Sequence, residues 1–524
     1  MLQWKILMKN GQVFRGEEEA SGELHVTADL PLGELLSVKA AMPVVLSDEG
    51  RIFMNGYQTW TFCPEYTKTD YTKGIRHLPS LLVQKYHLDR YGDYHFVKYP
   101  HQKGITHGFS WCYFREGSQY RLIASLDEKP GYTMFRYDAG KGLLIIKRDC
   151  RNMICGGEFH AFDLFIAQGT EEEVFDGWFR ALGVKARTKE KIAGYSSWYN
   201  RYQNIDEKSI EEDLRGAAGV LPEGSFFQID DGWERYVGDW IGTDPRKFPH
   251  GLAPVVKEIH EKGFRAGLWL APFVAEKKSA LFREHPDWFY LHKGEPWCDG
   301  CNWSGFYSLD IDNSEVIDYL QDTFDQVFQE WGFDLVKLDF LYGAAPFGSR
   351  TESRAARMIR AMELLRELCG DKLILGCGVP VMPAFGLVDY CRVSCDVGLD
   401  WDDSPLMQKI HRERVSTRQA ILNTFYRRQL DGRAYGNDPD VFFIRENNLD
   451  LTPGQKRMLA VNGLLFGSVA FTSDNMLEYS DDRKETWHRL LELRDARDIR
   501  IRYKDGKAGV LYNIHNVEHE LILP

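Results

Sequence analysis

Lys337 and Asp339 stand two positions apart in LVKLDF (335–340), a run otherwise made of large apolar residues. On an extended strand, residues i and i+2 share a face, so the lysine and the aspartate project together while Leu338 projects the other way. As an internal salt bridge the pair would be weak evidence for stability, because desolvation can exceed the Coulomb gain. A lysine beside an aspartate does, however, lower the carboxyl pKa and favour the ionised form, which a carboxylate nucleophile needs. Such a nucleophile calls for a second carboxyl as acid and base, the pairing used in retaining glycoside hydrolysis. Asp396, just past the candidate strand YCRVS (390–394), is that candidate. Arg392 complicates the assignment, since a guanidinium favours an ionised Asp396. The site is therefore expected to screen the two through distance or other partners.

Other groups suited to a sugar gather at the ends of candidate strands. FFQIDD closes on Asp230 and Asp231, SSWYN offers Trp198 and Tyr199, GLWLAP holds Trp269, and LILGCG holds Cys377. Any one of these has a plain structural explanation: an Asp after a strand commonly caps a helix, and a Trp commonly fills a core. Together they offer flat apolar faces for sugar C–H surfaces and fixed polar groups for hydroxyls. Trp60, Trp198, Trp240 and Trp269 are the candidate walls.

The elements that must position these residues change character along the chain. Residues 1–185 hold short apolar segments such as ELHVTADL, YRLIASL and FDLFIAQG between Gly, Asp and Pro turns, which predicts an all-β domain. Over 186–495, predicted strands at 193–200, 226–231, 265–272, 335–340, 373–378, 390–394, 433–436 and 468–473 alternate with helical patterns such as KSIEEDLRGAAGV and RAARMIRAMELLRELCG. Eight strands interleaved with helices suit a (β/α)8 TIM barrel, whose active site collects at the C-terminal strand ends. A doubly wound sheet fits less well, because no GxGxxG follows the first strand. The tail, 496–524, reads as a small β-domain. The fold class is thus multidomain α/β.

Composition excludes several partners. A net charge of -12 supplies no clustered Lys and Arg on which to found nucleic-acid binding. No segment holds about 18 uninterrupted apolar residues, and the start MLQWKILMKNGQVFRG lacks the apolar core of a signal peptide. No membrane partner and a cytoplasmic location are the expectations. The ten cysteines are scattered, which favours reduced thiols. Cys298 and Cys301 have CxxC spacing, but no second CxxC or HxxxH joins them, so they read as an ordinary loop pair and neither a metal nor a cofactor is expected.

FFQIDDGWE, VGDWIGTDPRKFPHGL, GLWLAPF, HPDWFY, LVKLDF, LILGCGVP, CRVSCD and GNDPD occur in an order that resembles glycoside hydrolase family 36, the α-galactosidase family. The resemblance runs from about 193 to 440 and includes NGYQTW (55–60), similar to the N-terminal loop that reaches over the family's active site. It implies a β-supersandwich, a TIM barrel and a small C-terminal β-domain. It makes Asp339 the nucleophile and Asp396 the acid/base of a retaining, metal-free exo-hydrolase acting on terminal α-galactosyl groups. Asp230 and Asp231, with Lys337, would read the 4- and 6-hydroxyls. Arg392 and Cys377 would lie near the 2-hydroxyl, and Trp60, Trp198, Tyr199, Asp239, Trp240 and Trp269 would belong to the same pocket. Val393, Ser394 and Cys395 replace a segment that ends Gly-Pro in many relatives, which leaves galactose and N-acetylgalactosamine both open. Transglycosylation and a homo-oligomer are also open.

Overall fold

The computed structural model describes residues 1–75, 78–504 and 506–524. Its centre is a parallel sheet whose strands are β1 (Ile192–Ser196), β2 (Phe226–Ile229), β3 (Arg265–Leu270), β4 (Leu335–Leu338), β5 (Leu373–Gly376), β6 (Tyr390–Arg392), β7 (Gly436–Asp438) and β8 (Val469–Thr472). Each pairs with the next in chain order from β1 to β7, and β8 pairs with β1. Beyond β7, Ser468 N donates to Asn437 O at 2.9 Å, and the short strand Val441–Phe442 pairs with β8. Nearly every residue of β1 to β5 is buried, as expected of parallel strands covered on both faces. The strand expected at 433–436 lies instead at Gly436–Asp438. Ala434 and Tyr435 are buried before it, so burial alone does not mark where pairing begins.

The connecting helices carry their own start signals. The helix Glu207–Ala218 begins at Asp206, whose side chain accepts from Ser209 N, and it buries Ile210, Leu214 and Ala217 one to two turns apart. The helix Arg354–Cys369 begins at Ser353, whose side chain accepts from Ala356 N.

Before this sheet lies a mostly antiparallel one of eleven strands, organised on the long strands Gly22–Pro43 and Ile154–Gly169. Alternation divides its faces. In Trp111–Glu116, Cys112 and Phe114 join an apolar cluster within the N-terminal sheet, while Trp111 and Tyr113 join the core shared with the parallel sheet. Residues 497–522 form three antiparallel strands, Arg497–Lys504, Lys507–Ile514 and Val517–Ile522. Among the described residues no helix is long and apolar enough to cross a membrane.

The loop NGYQTW is stitched to the parallel sheet from two directions. Thr59 N donates to Val379 O at 3.0 Å and Val381 N to Tyr57 O at 3.3 Å. From below, the fully buried Arg427 donates to Asn55 Oδ1, Thr59 O, Gln58 O and Val393 O at 2.6–3.1 Å. One guanidinium thereby fixes both the loop that bears Trp60 and the backbone that leads to Asp396. Arg427→Met is expected to destabilise the protein by about 3 kcal/mol or more, because buried carbonyls lose charge-assisted donors. Thermal unfolding beside a KM measurement tests this: stability should fall and KM should rise together.

Candidate active site

A cavity of about 750 Å3 opens over the C-terminal ends of the strands. Trp60, Trp198, Asp230, Asp231, Trp269, Lys337, Asp339 and Asp396 all line it. The shared inner face of LVKLDF is therefore as the two-residue period predicts, with Leu338 fully buried on the other side.

Lys337 pairs with Asp230, beside which the family resemblance set it, rather than with its strand neighbour Asp339. Its Nζ lies 3.0 Å from Asp230 Oδ2, a carboxylate brought from the end of β2, and both groups are buried. Burial is the largest influence and opposes the Lys337 charge, but the negative groups around it, Asp230 foremost with Asp339, together overcome it and raise the ammonium above its ordinary value. Asp230 Oδ2 also accepts from Gln228 Nε2 at 2.8 Å. Asp339 is shifted up from the ordinary carboxylate value, not down: burial dominates, Lys337 opposes it, and the Asp396 charge adds to it. The lysine thus moderates a carboxylate that burial would otherwise protonate.

Two donors aim that carboxylate. Trp269 Nε1 reaches Asp339 Oδ2 at 3.2 Å, and Phe340 N reaches Oδ1 at 2.8 Å. The second contact requires the backbone to turn back at once. Phe340 has φ of 53°, a left-handed conformation that is costly for a non-glycine residue. Gly378, at φ of +57°, lies opposite: a Cβ there would stand 2.8 Å from the Trp60 ring and 3.0 Å from Phe340 N. Replacing Lys337 by Met should raise Asp339 further, since the lysine is its chief lowering influence. The acidic limb of kcat/KM should move to higher pH, and the optimum rate should fall roughly a hundredfold as Asp230 loses its anchor. pH–rate profiles of the two proteins check this; an unmoved acidic limb contradicts it.

Arg392 is not screened from Asp396 by distance, because its Nη1 donates to Asp396 Oδ1 at 2.7 Å. Its charge is shared instead. Nε lies 3.1 Å from Asp438 Oδ2 and Nη2 lies 3.0 Å from Asp440 Oδ1. One cation facing three carboxylates cannot neutralise them all. Burial, then Arg392 acting against it, leave Asp440 raised to about 6. Asp440 also accepts from Tyr199 at 2.6 Å and from Val397 N at 2.9 Å, so β1, β6 and β7 are tied beneath the cavity floor.

That belt corrects several expectations. Tyr199 and Arg392 lie under the cavity rather than on its wall, since their polar ends turn to Asp440 and its neighbours. Cys377 sits behind Trp60, whose Nε1 contacts its Sγ at 3.3 Å. Asp239 caps the helix Ala280–Glu284, accepting from Ala280 N and Leu281 N at 3.0 Å each. Trp240 is fully buried behind Trp269, with ring centroids 6.0 Å apart. Both lie outside the cavity lining, the aspartate because a helix 40 residues further on, invisible in the motif VGDWIGTDP, claims it.

Two of the lining residues unmarked in sequence hold Asp231. Trp303 Nε1 and Gln203 Nε2 donate to Asp231 Oδ2 at 3.0 and 2.8 Å. In WCDGCNW it is Trp303 that carries the signal, not the thiols. Cys298 and Cys301 are free, and among the described residues no group of His, Cys, Asp or Glu could hold a metal. The other oxygen, Asp231 Oδ1, is buried. Its neighbour Glu234 is raised well above the ordinary carboxylate value by burial, by the Asp231 charge and by a side-chain hydrogen bond to Asp231.

Comparison with solved structures covers most of the chain. TtGalA, an alpha-galactosidase from Thermus thermophilus solved with p-nitrophenyl alpha-D-galactopyranoside, is similar with a TM-score of 0.75 at 28% identity, over 94% of this chain and 98% of that one. A profile of the melibiase family matches residues 184–364. These likenesses make the chain similar to members of glycoside hydrolase family 36. AgaA, a GH36 alpha-galactosidase from Geobacillus stearothermophilus, shares the fold with a TM-score of 0.62 at 13% identity, over 97% of this chain and 80% of that one. In sequence, AgaA is 32% identical over 170 residues, 31% of this chain and 22% of AgaA. An alpha-galactosidase of Escherichia coli is 31% identical over 183 residues, 33% of this chain and 25% of that one. These matches span about a quarter of the curated relatives' lengths.

Proposed function

We propose that the protein is an exo-acting, retaining α-galactosidase built on a closed (β/α)8 barrel. Asp339 attacks the anomeric carbon, Asp396 protonates the leaving oxygen and then activates water, and a covalent galactosyl-enzyme lies between the two steps. The observation that carries the reading is the placing of both carboxyls on one cavity with Asp230, Asp231 and Lys337. Four Trp residues, Trp60, Trp198, Trp269 and Trp303, line the same cavity. A protein that merely bound sugar would have no need for both Asp339 and Asp396. The relatives named above point the same way, one of them solved with an α-galactoside.

Cys395 favours keeping one alternative in the test. It lines the cavity immediately before Asp396, at the segment that differs from many family members, and so bears on the group carried at the sugar 2-position. Hydrolysis of p-nitrophenyl α-galactoside is expected to exceed that of the N-acetylgalactosaminide by at least tenfold in kcat/KM. A reversal assigns the site to α-N-acetylgalactosaminides, and loss of turnover on both overturns the enzymatic reading.

A further inference from the structure

The cavity changes chemistry from floor to rim. Its polar residues, Asp230, Asp231, Lys337 and Asp339, are buried, whereas the lining residues that reach solvent are largely apolar. Leu78, Leu82 and Leu88 come from one segment of the chain, and Leu406, Met407 and Val415 from another. Leu82, Leu406 and Val415 are 39%, 63% and 52% exposed. Single exposed apolar residues need no explanation, but a contiguous set at the mouth of a cavity marks a binding surface. The short helix Ser80–Tyr86 that brings Leu82 buries no residue of its own. It therefore contributes little to the core, and two of its side chains, Leu82 and Tyr86, line the opening.

The position of the acid decides which part of a substrate would meet this rim. A general acid stands beside the leaving oxygen, so the leaving group departs past Asp396. Leu406, Met407 and Val415 belong to the segment that follows Asp396, and the segment returns to it through Ser416 N, which donates to Asp396 O at 3.0 Å. The polar side chains around the same opening are already engaged. Arg414 forks onto Asp402 at 2.9 and 3.0 Å, Glu413 accepts from Tyr94 at 2.6 Å, and Asn302 Oδ1 accepts from Tyr91 at 2.6 Å. His411 is held neutral by burial, its pKa lowered to about 4, and offers no charge. A sugar leaving group has many hydroxyls and would meet few open partners here, whereas an alkyl or aryl group would displace water from the leucines.

We propose that the leaving-group side of the cavity is an apolar subsite, so that the preferred substrates are α-galactosides of alkyl or aryl alcohols rather than of other sugars. This rests on the α-galactosidase reading. The test is a series of n-alkyl α-galactosides from methyl to octyl, kept below micelle-forming concentrations, with melibiose and raffinose beside it. Leaving-group basicity scarcely changes along the alkyl series, so the slope reports contact with the rim. kcat/KM is expected to rise roughly two- to fourfold for each CH2 that becomes buried. Leu82→Asp and Leu406→Asp, both at exposed positions, should lower the octyl-to-methyl ratio at least fivefold. A flat series, or melibiose and raffinose exceeding octyl galactoside, overturns the proposal while leaving the α-galactosidase reading intact. Absence of turnover on every compound would instead remove that reading. Sedimentation of the same proteins covers the other occupant: a dimer dispersed by Leu82→Asp, with the alkyl slope flat, would make the rim a contact between copies of this chain and overturn the subsite.

Discussion

Asp339→Gly is expected to lose at least about a thousandfold in kcat on p-nitrophenyl α-galactoside, and external azide should restore turnover with β-galactosyl azide as product. The deletion opens a space at the point where Trp269 Nε1 and Phe340 N converge, and a small anion can enter the face the carboxylate has left. Attack from that face inverts the anomeric centre once, hence the β-product. Asp339→Asn keeps the shape and removes the charge, so it should be equally inactive and gain nothing from azide. Near-normal turnover in Asp339→Asn would refute the assignment. Stability separates this from unfolding. Burial raises the Asp339 pKa, so the ionised group costs stability that is fully present below the ordinary carboxylate value and is lost as pH rises through the folded one. At neutral pH, Asp339→Asn is accordingly expected to melt no lower than the native protein, and its advantage should shrink as pH falls through the raised Asp339 value and be gone below the ordinary carboxylate value.

What the sequence made legible follows the reach of each signal. The common face of Lys337 and Asp339 rests on two-residue geometry, and it stands. The partner of Lys337 depends on which strand lies two places away in the sheet, and no local pattern contains that, so Asp230 supplies the ion pair that the strand spacing alone assigns to Asp339. Arg392 and Asp396 are close in sequence and do meet, but the two further carboxylates that divide the charge come from GNDPD, more than forty residues later. Arg427 left no trace at all. It has no charged partner to look for, only carbonyls and an amide from two distant loops. Asp239 and Trp240 show the converse error, since a motif can be recognised as a block while single members serve the scaffold. The strand ending in GND is short and glycine-led, and such a sequence carries little β-preference to read.

Asp396→Ala should fail selectively. Loss of a general acid costs about a hundredfold to ten-thousandfold where the leaving oxygen needs a proton, as it does for alkyl and sugar leaving groups. A dinitrophenyl galactoside departs without that help, so its first step should slow only a few-fold. The second step still needs a base to activate water, and with Asp396 gone the galactosyl-enzyme should accumulate, giving a burst of one phenolate per active site followed by a slow steady state. Azide should now relieve the second step, because an anion needs no base. Its product should be α-galactosyl azide, since it attacks the intermediate from the side the leaving group vacated. Opposite anomers from Asp339→Gly and Asp396→Ala would therefore fix the two roles independently of how far either rate falls. The fold should tolerate the change: the Asp396 side chain is 40% exposed, and Arg392 keeps Asp438 and Asp440 when Asp396 is removed. Equal losses on activated and unactivated substrates, with no burst, would take the acid/base role away from Asp396 and leave it as one of three carboxylates around a buried arginine.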